Sequence, residues 1–290
     1  MISLIVATIE RVEELERLLT SLDRQRFKEF EVIVVDQNQD DRLEPILAGH
    51  PRLSIRHLRS PRGLSIARNQ GLRFAAGEIV AFPDDDCWYP GDLLQSVKQW
   101  FDAHGEFDLL SAMARSADQS PAGPKWPSRG CVVTRQNIWA CSVSTTIFLR
   151  KRVCDLVGEF DESIGVGAKS KYQSGEETDY LLRAMERGRR MWFEPGLTVH
   201  HPQLHGIGRL KRVTYRFALG SGYILRRHHY ALRDVANQFV RSFGGAALSL
   251  LKGNLDMAEV YVSRGLGQVV GYICGPAQAG ATATEGHERV

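Results

Sequence analysis

The 290-residue chain is poor in cysteine, and its cysteines form no pattern. Cys87, Cys131, Cys141, Cys154 and Cys274 are odd in number, scattered and without CxxC spacing, which argues against a disulfide framework and against a zinc site. No stretch reaches the roughly 18 consecutive apolar residues of a membrane-spanning helix. The start, MISLIVATIE, has no basic segment and meets Glu10 too early for a secretory signal. No internal repeat is visible, and no Gly-rich, Lys-bearing phosphate loop lies near the first strand-like run. These absences read as a reduced, cytoplasmic protein.

What is present is the composition of a globular chain: 43% hydrophobic residues, 24% charged residues and 27 glycines. The length suits one large α/β domain with an appendage. Apolar runs alternate with helical spacing: 2-ISLIVAT-8, then Val12, Leu15, Leu18, Leu19 and Leu22, then 31-EVIVVD-36, 53-LSIRHL-58, a helix over 65–76 and a strand at 78-EIVAF-82. Such alternation predicts a mainly parallel sheet with helices on both faces. In sheets of that kind the ligand crevice lies outside the carboxyl ends of the strands. Thr8, Asp36 and Asp84 all fall at such ends. Farther on, 116-SADQSPAGPKWPSRG-130 reads as a surface excursion, with regular structure resuming over 141–151. A helix is expected over 176–188, and a short β element over 191–202 that ends in two histidines.

The stretch 81-AFPDDDCWYP-90 sets three aspartates at the end of an apolar run. Asp and Pro are ordinary turn residues, yet carboxylates at i and i+2 also suit a hard divalent cation with open positions for phosphate oxygens. A second acidic group, Glu176, Glu177 and Asp179, follows Gly175. Acids favour a helix N-terminus for electrostatic reasons alone, and the same placement can present a general base on a rigid element. His200 and His201 are structural residues or, beside a metal, one of them is a ligand. Trp88 and Tyr89 are packing anchors or stack on a sugar face.

The net charge is +3, but the segment from Arg209 to Arg241 carries eight Lys or Arg against Asp234, a local balance of +7. The basic charge therefore belongs to one region and asks for an anionic partner there. Its apolar and aromatic residues alternate with arginine in clusters. The pattern fits a helical appendage packed on the main domain, or an interfacial segment on an anionic membrane. Nothing in it matches a nucleic-acid-binding motif.

Taken in order, 2-ISLIVAT-8, 31-EVIVVD-36, 63-GLSIARNQGLRFAAGEIVAFPDDDC-87, 158-GEFDESIG-165, 175-GEETDYLLR-183 and 195-PGLTVHH-201 resemble glycosyltransferase family 2 over residues 1–202. The resemblance implies a GT-A fold, Rossmann-like, and an inverting, nucleotide-sugar-dependent transferase. It implies that Thr8, Asp36 and Arg68 hold the nucleotide, that Asp84 and Asp86 bind Mn2+ or Mg2+, and that Asp85 lies near ribose or phosphate. A histidine of the pair 200–201 would add a ligand. Glu177 stands where the family usually has an Asp as general base, so Glu176 and Asp179 remain alternatives. The expected organisation is a catalytic domain over 1–205, a basic amphipathic helical region over 206–275 and a disordered tail over 276–290. The expected partners are a nucleotide-diphosphate sugar, a saccharide or polyprenyl-diphosphate-linked acceptor, an anionic membrane and a second copy of the chain. The setting they imply is bacterial surface-polysaccharide synthesis at the inner face of the cell membrane. A nucleotidyltransferase and a non-catalytic nucleotide-sugar scaffold are the rival functions.

Overall fold

A computed structural model describes residues 1–202 and 207–275. Its first half runs β1 (Ile2–Thr8), α1 (Val12–Asp23), β2 (Phe30–Asp36), α2 (Glu44–Ala48), β3 (Ile55–Arg59), α3 (Leu64–Leu72), β4 (Ile79–Ala81) and α4 (Leu93–Ala103). There follow β5 (Leu109–Arg115), β6 (Cys131–Val133), α5 (Ile138–Cys141), a 3-10 turn (Ser144–Thr146), β7 (Ile147–Arg150), α6 (Lys151–Val157), α7 (Glu176–Glu186) and β8 (Met191–His200). Three long helices close the described chain: α8 (Ile207–Arg227), α9 (Leu232–Leu251) and α10 (Leu255–Cys274).

One sheet has the order β3-β2-β1-β4-β7-β5-β8-β6. The strands from β3 to β4 are parallel, β7 runs antiparallel to both β4 and β5, and β8 is parallel to β5. This is the mixed, mainly parallel sheet that the alternation predicts. β1 reads as an unbroken apolar run because both of its faces are covered. Ile5 packs into a core with Ile33, Ala67, Val80, Leu181 and Ile224, whereas Leu4 and Val6 face Leu15, Leu18, Leu94 and Phe101 on the other side.

Two segments differ from the sequence reading. The stretch 141–151 is not one element: Thr146 Oγ1 donates to the Val143 carbonyl at 2.9 Å, and this local bonding tightens 144–146 into a 3-10 turn before β7 begins. The β element near 191–200 is a full ten-residue strand. Pro195 and Gly196 do not break it, because the register with β5 jumps from Ala112↔Glu194 to Met113↔Thr198 and the extra residues bulge out. The expected boundary at 205/206 and the expected tail at 276–290 lie outside the described residues.

Candidate active site

β4 ends at Ala81, and Pro83 turns the chain so that Asp84, Asp85 and Asp86 leave the sheet at its carboxyl edge. Three carboxylates this close repel one another and call in cations from three directions. Arg11, just after β1, donates to Asp85 Oδ1 at 2.8 Å and to Asp86 Oδ2 at 2.5 Å. Arg17, on α1, donates to the Asp86 carbonyl at 2.7 Å. Arg68, on α3 and 2% exposed, stands 3.6 Å from Asp84 Oδ1. Burial raises the Asp84 pKa despite Arg68 and His201, and pushes Asp85 up to about 6 despite Arg11 and the facing Thr8 hydroxyl. Burial opposes ionisation of Asp86 as well, but His201 and Arg11 outweigh it and its pKa falls.

β8 brings the histidines to this edge, and its alternation sends their side chains opposite ways. His201 Nε2 lies 3.2 Å from Asp86 Oδ1 and 3.9 Å from Asp84 Oδ2. Ligand atoms of Asp84, Asp86 and His201 all fall within 4.8 Å of one another. His201 Nδ1 donates to the Pro202 carbonyl at 2.7 Å, so the nitrogen that a metal would engage, by displacing the proton shared with Asp86, is Nε2. Two carboxylates and one imidazole suit Mn2+, and Mg2+ less well.

His200, expected as an alternative ligand, is not part of the cluster. Its ring stacks on Trp88 with centroids 5.3 Å apart, and its backbone pairs with Trp88 in both directions at 2.9 Å. Trp88 in turn carries the Arg17 guanidinium 4.7 Å from its ring centre. Of the two aromatics, half-buried Trp88 contacts both Arg17 and His200, and Tyr89 is 3% exposed and packs against Phe148 in the core.

Gly175, which also lines the crevice, starts α7 at φ +94°, and a Cβ there would meet Ile224 Cγ1 at 2.8 Å. The turn is open to glycine alone, and it aims the acidic first turn at the crevice. Glu176 is buried, accepting from Arg68 Nη1 at 3.1 Å. Arg68 also bonds the Ser144 hydroxyl, so α3, α7 and the 3-10 turn meet at one guanidinium. Glu177 lies against Phe82, Phe160, Tyr180 and Leu181 and also borders the open crevice. Burial against this apolar wall, together with the neighbouring Glu176, raises its pKa to about 8.

Asp179 is not available for chemistry. It is fully buried, accepts from Arg183 Nε at 2.8 Å, bonds His228 Nε2 at 2.9 Å and forms an ion pair with Arg227, whose Nε lies 3.0 Å away. Its position on α7 one turn beyond Glu176 faces α8 instead of the crevice, so it is a structural anchor. Asp36 is likewise sealed at 0% exposure: it accepts from the Asn38 backbone at 2.8 Å, from Asn38 Nδ2 at 2.7 Å and from His57 and Arg59. Its role in the structure is to shape the loop after β2. Thr8 is also buried, and the crevice floor is formed by its neighbours Ala7 and Ile9 and by Gln37.

The crevice has a volume of about 610 Å3, within the roughly 300–1,000 Å3 of small-molecule sites. Asp84 to Asp86, His201, Glu176, Glu177 and Arg209, Phe217 and Ser221 of α8 all line it. The sequence reading missed Arg11, Ser144 and the α8 residues. Arg11 had a signal: a cation three residues beyond β1 faces the same edge as the acids. The others are assembled by contacts far apart in the chain.

The sequence model of glycosyl transferase family 2 matches residues 3–158. The chain is 26% identical over 247 residues to the succinoglycan biosynthesis protein ExoM of Rhizobium meliloti, covering 80% of this chain and 77% of that one. It is 25% identical over 169 residues to the Bacillus subtilis glycosyltransferase YwdF, covering 56% of this chain and 63% of that protein. Among solved structures, the mannosyltransferase PcManGT of Pyrobaculum calidifontis in complex with GDP-Man and Mn2+ superposes with a TM-score of 0.62 at 18% identity, over 92% of this chain and 86% of that one. At that identity the likeness is one of fold, the expected GT-A-like architecture.

Proposed function

The chain belongs to glycosyl transferase family 2, and from that premise we propose that it moves a sugar from a nucleoside-diphosphate donor to a saccharide hydroxyl, with inversion. The observation that carries the reading is that the Asp84, Asp86 and His201 cluster and Glu177 line one crevice. These three residues would hold Mn2+ or Mg2+, which when bound supplies neutralisation of the departing diphosphate. Glu177 takes the proton of the acceptor hydroxyl as the new C–O bond forms at the anomeric carbon and the bond to the diphosphate breaks. Glu176, held by Arg68, keeps a negative charge beside Glu177 and so keeps its proton affinity high, which suits a base.

In this reading the acceptor hydroxyl attacks from the face opposite the leaving group, and one displacement inverts the centre. The basic helices supply Arg209 to the crevice, and Arg62 lines it as well. These cations favour an acceptor that carries phosphate, such as a polyprenyl-diphosphate-linked saccharide in surface-polysaccharide assembly at the cytoplasmic face of a membrane.

Calorimetry with UDP, GDP, dTDP and CMP, each with Mn2+, Mg2+ or EDTA, tests the donor side in wild type and in Asp84→Asn/Asp86→Asn. Metal-dependent binding of one nucleotide, lost in the variant, is expected. Binding that ignores both metal and variant would sink the metal assignment.

A further inference from the structure

The three C-terminal helices present an apolar outer face that no described residue covers. On α9, Leu232, Val240, Phe243, Leu250 and Leu251 share one side of the helix, with Leu232 76% and Leu251 84% exposed. An adjoining strip, with Val235, Ser242 and Ala246, is buried, and Ser242 donates to Gln268 of α10 at 2.8 Å. On α10, Leu255, Val262, Leu266 and Ile273 form a second exposed stripe. The two stripes adjoin at Phe243, whose ring closes so tightly on Gly265 that a Cβ there would meet it at 2.6 Å. A continuous exposed surface of large apolar residues marks a contact site in a soluble protein.

The charges around that face select its occupant. The exposed charges of α9 and its C-terminal end are Arg233, Arg241 and Lys252, while the Asp234 carboxylate is largely covered and 3.8 Å from Arg233. On α10, Asp256 and Glu259 are both engaged by Lys211, at 2.8 and 2.5 Å, and Arg264 is exposed. A second copy docked symmetrically would set like cations against one another with the nearby acids already paired. Residues 276–290 contain no Leu, Ile, Met or aromatic side chain and cannot supply an apolar complement. No described helix is long and apolar enough to cross a membrane. An anionic bilayer offers both an apolar boundary and negative headgroups.

We propose that the outer face of α9 and α10 seats this protein on the interface of an anionic membrane. This narrows the interfacial surface expected over the basic helical region to the outer face of its last two helices: Arg209 and Phe217 of α8 line the crevice, and Arg227 is engaged with Asp161 and Asp179. The inference deepens the reading of a lipid-borne acceptor, since α8 links the crevice wall to this face. It is nonetheless read out without donor or acceptor, so the two can fail separately.

The experiment is co-sedimentation of the full chain with phosphatidylcholine vesicles and with vesicles that also carry phosphatidylglycerol. The expected result is at least about tenfold stronger partitioning onto the anionic vesicles. Val240→Asp/Leu251→Asp, at exposed positions, removes it by at least about tenfold while circular dichroism and metal-dependent nucleotide binding stay unchanged. Arg233→Gln/Arg241→Gln weakens binding to the anionic vesicles only. The proposal is overturned if wild type ignores both vesicle types, or if the Asp variant binds like wild type. It is equally overturned if light scattering shows a dimer that the Asp variant splits.

Discussion

Arg68 Nη1 lies 3.1 Å from Glu176 Oε1, and both side chains are almost wholly removed from water. The pair joins α3 to α7, and with Asp84 Oδ1 at 3.6 Å the same guanidinium reaches the metal cluster. Removing one partner leaves the other buried and unpaired. Arg68→Met is therefore expected to cost about 3–5 kcal/mol in urea unfolding. Glu176→Gln, which keeps a hydrogen-bond acceptor, should cost less; equal losses would show that the charge, and not the hydrogen bond, carries the pair.

Glu177 supplies a pH signature. Activity needs its ionised form, so kcat/KM should climb about tenfold per pH unit below about 8 and level off above. Glu177→Gln should lower turnover at least about 100-fold while leaving nucleotide binding intact. The stability effect runs the other way: a carboxyl whose folded pKa is raised stabilises the fold below its unfolded pKa, and that contribution is lost as pH rises toward about 8. The melting temperature of Glu177→Gln should therefore exceed that of wild type by a growing margin across that window. A constant margin would place Glu177 in water.

The two adjacent histidines should separate cleanly. His201→Ala is expected to weaken Mn2+ binding at least about tenfold, as even supporting residues of metal sites do. His200→Ala should leave Mn2+ binding in place and cost about 1 kcal/mol of stability through loss of the stack on Trp88. Calorimetric titration of Mn2+ into each variant checks both, and equal effects would refute the division.

Arg11 competes for the acids that a metal would neutralise. Arg11→Gln should tighten Mn2+ binding about tenfold, a modest share of the interaction of one charge with two close carboxylates. Unchanged or weaker binding in a titration followed by Mn2+ electron paramagnetic resonance would mean that Arg11 positions the acids instead.

Asp179 is expected to behave as an anchor. Asp179→Asn leaves Arg183, Arg227 and His228 facing a neutral group, at a cost of about 3–5 kcal/mol in denaturant unfolding. Burial opposes its ionisation, but His228, Arg183 and Arg227 prevail and lower its pKa. Its stabilisation is then present above the ordinary carboxylate range and lost as pH falls through the lowered value. Wild type and variant should converge in stability at acid pH; a gap that persists there would point to packing instead of charge.

Much of this site was legible in the chain itself. The parallel half of the sheet followed from apolar runs alternating with helical spacing, because a strand covered on both faces must be apolar throughout. Asp84, Asp86 and Glu177 were identifiable because they stand at element ends, where backbone geometry aims side chains at the crevice. Ambiguities at neighbouring positions were not resolvable in the same way. Asp36 and Asp179 have the same chemistry as their active neighbours, yet both turn inward to partners 21 to 49 residues away in the chain.

By itself, the sequence determined the elements of the parallel half and which end of the sheet carries the acids, since periodicity and turn residues act over a few positions. Only the tertiary structure decided that His201 and not His200 meets the acids. It also decided that Tyr89 is buried in the core, that α8 lines the crevice and that the apolar face lies on α9 and α10. Those outcomes depend on which surfaces burial brings together, and burial is settled by the whole chain at once.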